Sequence, residues 1–214
     1  MAVICPSILA PTKEKYYAQM EKVARFAQRI QIDLTDGEFA KNLTIKPDES
    51  WWPVGIKTDF HLMYRNPGRA VDVILEHKPN LIIVHAESHG NFLAFAGRCR
   101  QLGVKAGVAL LPQTSVNGII DALGEIDHVL IFSGELGSFG GHANLDLLRK
   151  VETLKHHKPT LEVGWDGGVS DQNISQLAAG GVDVFDVGGY IQAAEKPEHA
   201  FKILERIATE TGST

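Results

Sequence analysis

Eight short apolar runs, each followed by a segment with helical spacing, recur along this 214-residue chain, and no other feature restricts its fold so tightly. The runs fall at residues 2–9, 30–34, 57–62, 81–85, 105–110, 129–132, 161–163 and 182–187. Between them the spacing predicts helices over 12–28, 68–77, 91–102, 116–123, 144–156 and 171–179, a closing helix over 197–210, and a short helical turn within 48–54. Asn66-Pro67 is a good cap and first-turn pair for the helix that begins at Gly68. Short buried runs alternating with helices argue for a parallel sheet covered on its faces. Eight such units without a linker or composition break favour a closed (β/α)8, or TIM, barrel spanning 1–214 as a single domain. An open doubly wound sheet shares the alternation and is the alternative.

Composition narrows the function classes. The chain is 44% hydrophobic and 22% charged, ordinary for a globular protein. A net charge of −5 and the lack of a dense Lys/Arg tract give no reason to expect nucleic acid or a membrane surface as partner. No run approaches the roughly 18 apolar residues of a membrane span. Cys5 and Cys99 lack metal-type spacing and imply no disulfide framework. The first ten residues, without a basic region and interrupted by Pro6, read as a strand and not a signal peptide, so the expected location is cytoplasmic.

A barrel gathers its chemistry where strands end and the following loops begin. Those positions hold Ser7, Gln31 with Asp33, His61 with Met63, His85, Ser133, Asp166 and Gly188-Gly189. Strand alternation puts Gln31, Asp33 and Thr35 on one face of the second strand and Ile30, Ile32 and Leu34 on the other. A carboxylate inside a buried strand must be paired, hydrogen-bonded or bound to a metal, which marks Asp33. Asp36-Gly37, by contrast, reads equally well as a plain turn. Asp33, His61 and Asp166 would converge on one barrel mouth and make three ligands for a divalent ion. Glycine pairs at Gly140-Gly141, Gly167-Gly168 and Gly188-Gly189 lie in three successive late loops, where unobstructed N–H groups suit a phosphate dianion. Taken singly, His61 and His85 read as ordinary core histidines; His128, His156 and His157 are expected to be solvated, as is His142, although its place after the glycine loop makes it the exception to watch.

Six segments together resemble ribulose-phosphate 3-epimerases in order and spacing: Pro6-Ser7-Ile8-Leu9, residues 32–37 with Asn42-Leu43-Thr44, residues 59–63, Val84-His85-Ala86-Glu87, Phe139-Gly140-Gly141 and Asp166-Gly167-Gly168-Val169. The resemblance implies a metal-dependent epimerase interconverting D-ribulose 5-phosphate and D-xylulose 5-phosphate. It makes Asp33 and Asp166 the acid/base pair and metal ligands, and His61 a further ligand. Ser7 and Met63 become substrate contacts, joined by the strand-end residues His85 and Ser133, and the glycine pairs become phosphate contacts. The chain departs from the family at several places. Gln31 stands where a second histidine ligand is usual, Thr35 replaces a methionine, Leu111 an asparagine and Gly189 a serine; the loop 133–142 is altered and one residue longer. Gln31 can coordinate through its amide oxygen, a weaker and harder donor than imidazole, which shifts the expected ion from Zn²⁺ towards Mn²⁺, Mg²⁺ or Fe²⁺.

Three other readings share the barrel. A lyase of the same superfamily would carry an Asp-x-Lys-x-x-Asp array, but Thr35 and Glu38 occupy its last two positions here. A sugar-phosphate-binding relative without activity would follow from decay at Gln31. An epimerase for another ketose phosphate would differ at the longer loop and Leu111. Trp51, Trp52 and Phe39 are candidates for packing or for a surface between copies in a homo-oligomer.

Overall fold

A computed structural model describes residues 2–211. Eight parallel strands run β1 (Val3–Ile8), β2 (Arg29–Thr35), β3 (Lys57–Met63), β4 (Leu81–His85), β5 (Lys105–Leu110), β6 (His128–Phe132), β7 (Glu162–Asp166) and β8 (Val184–Val187). Each pairs with its successor and β8 pairs with β1, closing the cylinder. The helices are α1 (Lys13–Val23), α2 (Gly68–Glu76), α3 (Phe92–Gln101), α4 (Leu148–His157), α5 (Ile174–Ala179), α6 (Gly189–Gln192) and α7 (Pro197–Thr211). No helix among the described residues is long and apolar enough to cross a membrane.

The period of two along each strand sorts side chains between two compartments. Ile30, Ile32 and Leu34 of β2 join the large apolar cluster between strands and helices. Leu81, Ile83, Ala109 and Leu130 form a separate apolar plug from β4, β5 and β6. Much of the remaining interior is polar, including Arg29, Gln31, Asp33, Asp59, His61, His128 and Asp186. Arg29 donates through Nε to Asp59 Oδ2 at 2.6 Å and through both terminal nitrogens to Glu162 at 2.9 and 2.8 Å.

Four expectations need correction. The first helix ends at Val23, because the chain tightens through bonds from the Phe26 and Ala27 amides to the Val23 carbonyl before entering β2. Residues 116–123 do not form one α-helix; two 3₁₀ segments, Val116–Gly118 and Ile120–Glu125, take their place, and Gly118 and Gly124 weaken any longer helix. β7 runs on to Asp166, so that carboxylate stands at the strand's end. His128 is not solvated. It opens β6, is fully buried, and lies with Nδ1 2.9 Å from Glu162 Oε1. The missing side chain of Gly164 makes that room: a Cβ there would stand 2.5 Å from His128 Nε2.

Candidate active site

Register, more than sequence proximity, assembles the mouth. Asp33 is the in-register partner of His61, and Asp166 that of both Phe132 and Asp186. Gln31 pairs with Ser7 on one side and Asp59 on the other. Alternation turns Gln31 and Asp33 inward, and the Gln31 amide spans the barrel. Its Nε2 donates to Asp33 Oδ1 at 2.9 Å and to Asp166 Oδ2 at 3.0 Å. His61 Nδ1 stands 3.1 Å from the same Asp33 oxygen and 3.4 Å from the same Asp166 oxygen.

Burial is the largest single influence on Asp33, His61 and His85, but at His61 the neighbouring acids together outweigh it. Burial pushes the Asp33 carboxyl up to about 6, against the hydrogen bond from His61, while the charge of Asp166 adds to the rise. Burial alone would lower His61, but hydrogen bonds and charge from Asp166 and Asp33 carry it to about 9. His85 is lowered by burial to about 4 despite Glu87 beside it.

The ligand atoms of Asp33, His61 and Asp166 lie within 4.8 Å of one another, a mixed oxygen and nitrogen set that suits a divalent ion. Gln31 adds an independent sign. Its Oε1 is buried without a hydrogen-bond partner, while Nε2 is spent on the two acids. Turning the amide over would bring Oε1 to that side as a fourth donor. The residues present therefore fit an ion.

Beside the acids a cavity of about 410 Å³ opens, bordered by Ser7, Met63 and all three glycine pairs. Gly167 and Gly168 have φ of 111° and 71°, a region that disfavours any side chain. They also pack backbone to backbone: a Cβ on Gly167 would stand 2.1 Å from the Gly134 amide, and one on Gly168 2.2 Å from that of Ala143. Gly188 is pressed by Phe139, 2.3 Å from where its Cβ would be.

Other expected residues play different local parts. Ser133 Oγ accepts from the Asn144 amide and its own amide donates to the Asp166 carbonyl, tying the altered loop to β7. His85 stands behind His61, with ring nitrogens Nε2 and Nε2 2.8 Å apart. Asp36 is a turn residue: Oδ1 accepts from the Glu38 and Phe39 amides and Oδ2 from Arg65 N at 2.6 Å. Asn42 reaches across to donate to the Gly137 carbonyl at 2.7 Å, joining the second and sixth loops.

Asp186 was missed. It is buried beside Asp166, borders the same cavity, and neither of its oxygens has a hydrogen-bond partner. The signal was present, since an acid in the apolar run 182–187 breaks the same rule that marked Asp33.

The family described as Ribulose-phosphate 3 epimerase family matches residues 3–192. The chain is 35% identical to the ribulose-phosphate 3-epimerase of Mycobacterium leprae, covering 96% of this chain and 95% of that one. It is 30% identical to the Helicobacter pylori enzyme of the same name, over 95% and 97%. Among solved structures, KGPDC from Streptococcus mutans superposes with a TM-score of 0.76 over 99% of each chain, at 12% identity. A 3-hexulose-6-phosphate synthase from Salmonella typhimurium gives 0.69 over 98% and 99%, at 14%. Likenesses this distant in sequence bear on the fold.

Proposed function

The chain belongs to the ribulose-phosphate 3-epimerase family, and from that premise we propose that it interconverts D-ribulose 5-phosphate and D-xylulose 5-phosphate by proton transfer between Asp33 and Asp166. One observation carries the reading: a buried carboxylate on β2 and a half-buried one at the end of β7 face each other closely enough for a single amide nitrogen to bond both.

The two sugars differ in handedness at the carbon next to the ketone. A single base would return the proton to the side it came from. Two carboxyl groups on opposite sides of the planar enediolate avoid this. One accepts the proton from carbon 3, the other releases a proton to the opposite face, and the carbon–hydrogen bond lost is replaced by one of inverted configuration. Asp33 and Asp166 take these roles, and each is ready for the return reaction after one turnover.

Asp33, His61 and Asp166 would hold a divalent ion, with Gln31 joining through its amide oxygen. Such an ion supplies positive charge against the oxyanion that develops when the proton leaves. Gly140-Gly141, Gly167-Gly168 and Gly188-Gly189 offer backbone N–H groups to the phosphate, whose binding fixes carbon 3 between the acids. Ser7 and Met63 line the sugar's path, and Ser133 keeps the loop above it in place.

Incubating the protein with D-ribulose 5-phosphate in D₂O, with Mn²⁺, Fe²⁺ or Zn²⁺ added in turn, tests this. Formation of D-xylulose 5-phosphate carrying deuterium at carbon 3 is expected. Absence of product with every ion would refute the assignment.

A further inference from the structure

His61 is fully buried, and both of its ring nitrogens are engaged. Nδ1 faces the two aspartates, and Nε2 lies 2.8 Å from His85 Nε2. Two ring nitrogens at that distance share one proton, so one donates and the other accepts. Which does so is decided at the far side of His85. Its Nδ1 is 3.4 Å from Glu87 Oε2, within ion-pair reach, and neither buried atom has a hydrogen-bond partner elsewhere to claim it. The other oxygen of Glu87 is occupied, accepting from the Leu111 amide at 3.1 Å and from the Thr114 hydroxyl.

An ionised carboxylate can only accept. His85 Nδ1 must therefore carry hydrogen towards Glu87, which leaves the lone pair of a neutral His85 on Nε2. That lone pair accepts from His61 Nε2–H. His61 is then left with Nδ1 as the one nitrogen facing Asp33 and Asp166. The opposite proton order would set a nitrogen lone pair against the carboxylate and leave both atoms unpaired. The rings are also held in place: Phe39 lies 4.6 Å from the His85 ring, centroid to centroid, and Phe132 lies 5.8 Å from that of His61.

We propose that His85 and Glu87 are positioning residues, a hydrogen-bond chain that fixes the tautomer and orientation of His61 for the ion. This rests on the metal site proposed above. His85 is 2% exposed, so its part is played through His61. Because position 31 carries an amide, His61 is the one nitrogen donor of the cluster among the described residues, and its orientation matters more than where two imidazoles share the task.

The direct test needs no variant. In the Zn²⁺-loaded protein, correlation of imidazole protons with ¹⁵N should place hydrogen on His61 Nε2 and His85 Nδ1. Hydrogen on His61 Nδ1 in the loaded protein would overturn the proposal. Mn²⁺ titration followed by the spin resonance of the free ion gives the second arm. His85→Leu should weaken binding about 10- to 100-fold. His85→Gln, whose amide oxygen accepts from His61 Nε2–H, should stay near the parent. Equal weakening by Leu and Gln would mean that only the ring's bulk counts, and the proposal falls. Thermal unfolding of the metal-free variants checks that each is folded, and if His85→Leu is not, the tautomer result decides. Failure of the unsubstituted protein to bind either ion refutes the metal site itself, a different outcome from binding with the wrong tautomer.

Discussion

At position 31 a neutral amide stands between two carboxylates, and its two ends have opposite uses. Nε2 holds Asp33 and Asp166 together, while the unpartnered Oε1 is the end an ion would want. Loading therefore costs two hydrogen bonds before a weak ligand is gained. The metal should be loosely held and not predominantly zinc. Elemental analysis of protein purified without chelator is expected to show substoichiometric metal, and Gln31→His to raise zinc content. Tightly bound stoichiometric zinc in the parent would contradict this. For the acids themselves, Asp33→Asn or Asp166→Asn should lower kcat by at least ~100-fold, the scale of positioned acid/base catalysis. A variant that keeps the parent rate in the coupled epimerisation assay would remove that residue from the mechanism.

Elements show where reading from sequence succeeds and where it stops. Every strand was legible, because a short apolar run between breakers has few other uses in a chain of this length. Asp33 was legible as the exception inside such a run. Helix limits were not, since the last turn of α1 and the turns over residues 116–125 are decided by how the chain must enter the next strand. His128 was misread because burial in a barrel interior depends on the neighbouring strand: Gly164 of β7 vacates the space that the imidazole fills. Replacing that glycine tests the point. Gly164→Ala would set a methyl 2.5 Å from His128 Nε2 and 3.0 Å from Leu130. A loss of about 1–3 kcal/mol in urea unfolding is expected from such overpacking. When Gly164→Ala is combined with His128→Ala the clash with the ring is gone, so the methyl added at position 164 should cost less than it does in the parent background.

Across the whole molecule, the polar side of the barrel interior contains more acids than fixed cations, and this shapes how stability depends on pH. Arg29 is shared by Asp59 and Glu162, and His128 also faces Glu162. Burial alone would raise Glu162, but the hydrogen bonds from His128 and Arg29, together with their charges, hold it well below the ordinary carboxylate range. Its folded value is depressed, so its contribution is fully present above the unfolded value and is lost as pH falls below it. Asp186 has the opposite sign. Burial, with the charges of Asp166 and Asp59 behind it, raises its carboxyl well above the usual value, and Arg29 offsets only part of this. The folded protein keeps a proton there that the unfolded chain gives up above about pH 4, so stability drains as pH rises from that point. Asp186→Val should therefore stabilise the metal-free protein, and by more at pH 8 than at pH 4, in urea titrations run with chelator. Glu162→Gln should cost stability at pH 7 and progressively less as the solution is acidified. If Asp186→Val gave the same gain at both pH values, that carboxyl would not be holding a proton in the folded barrel, and the gain would reflect packing alone.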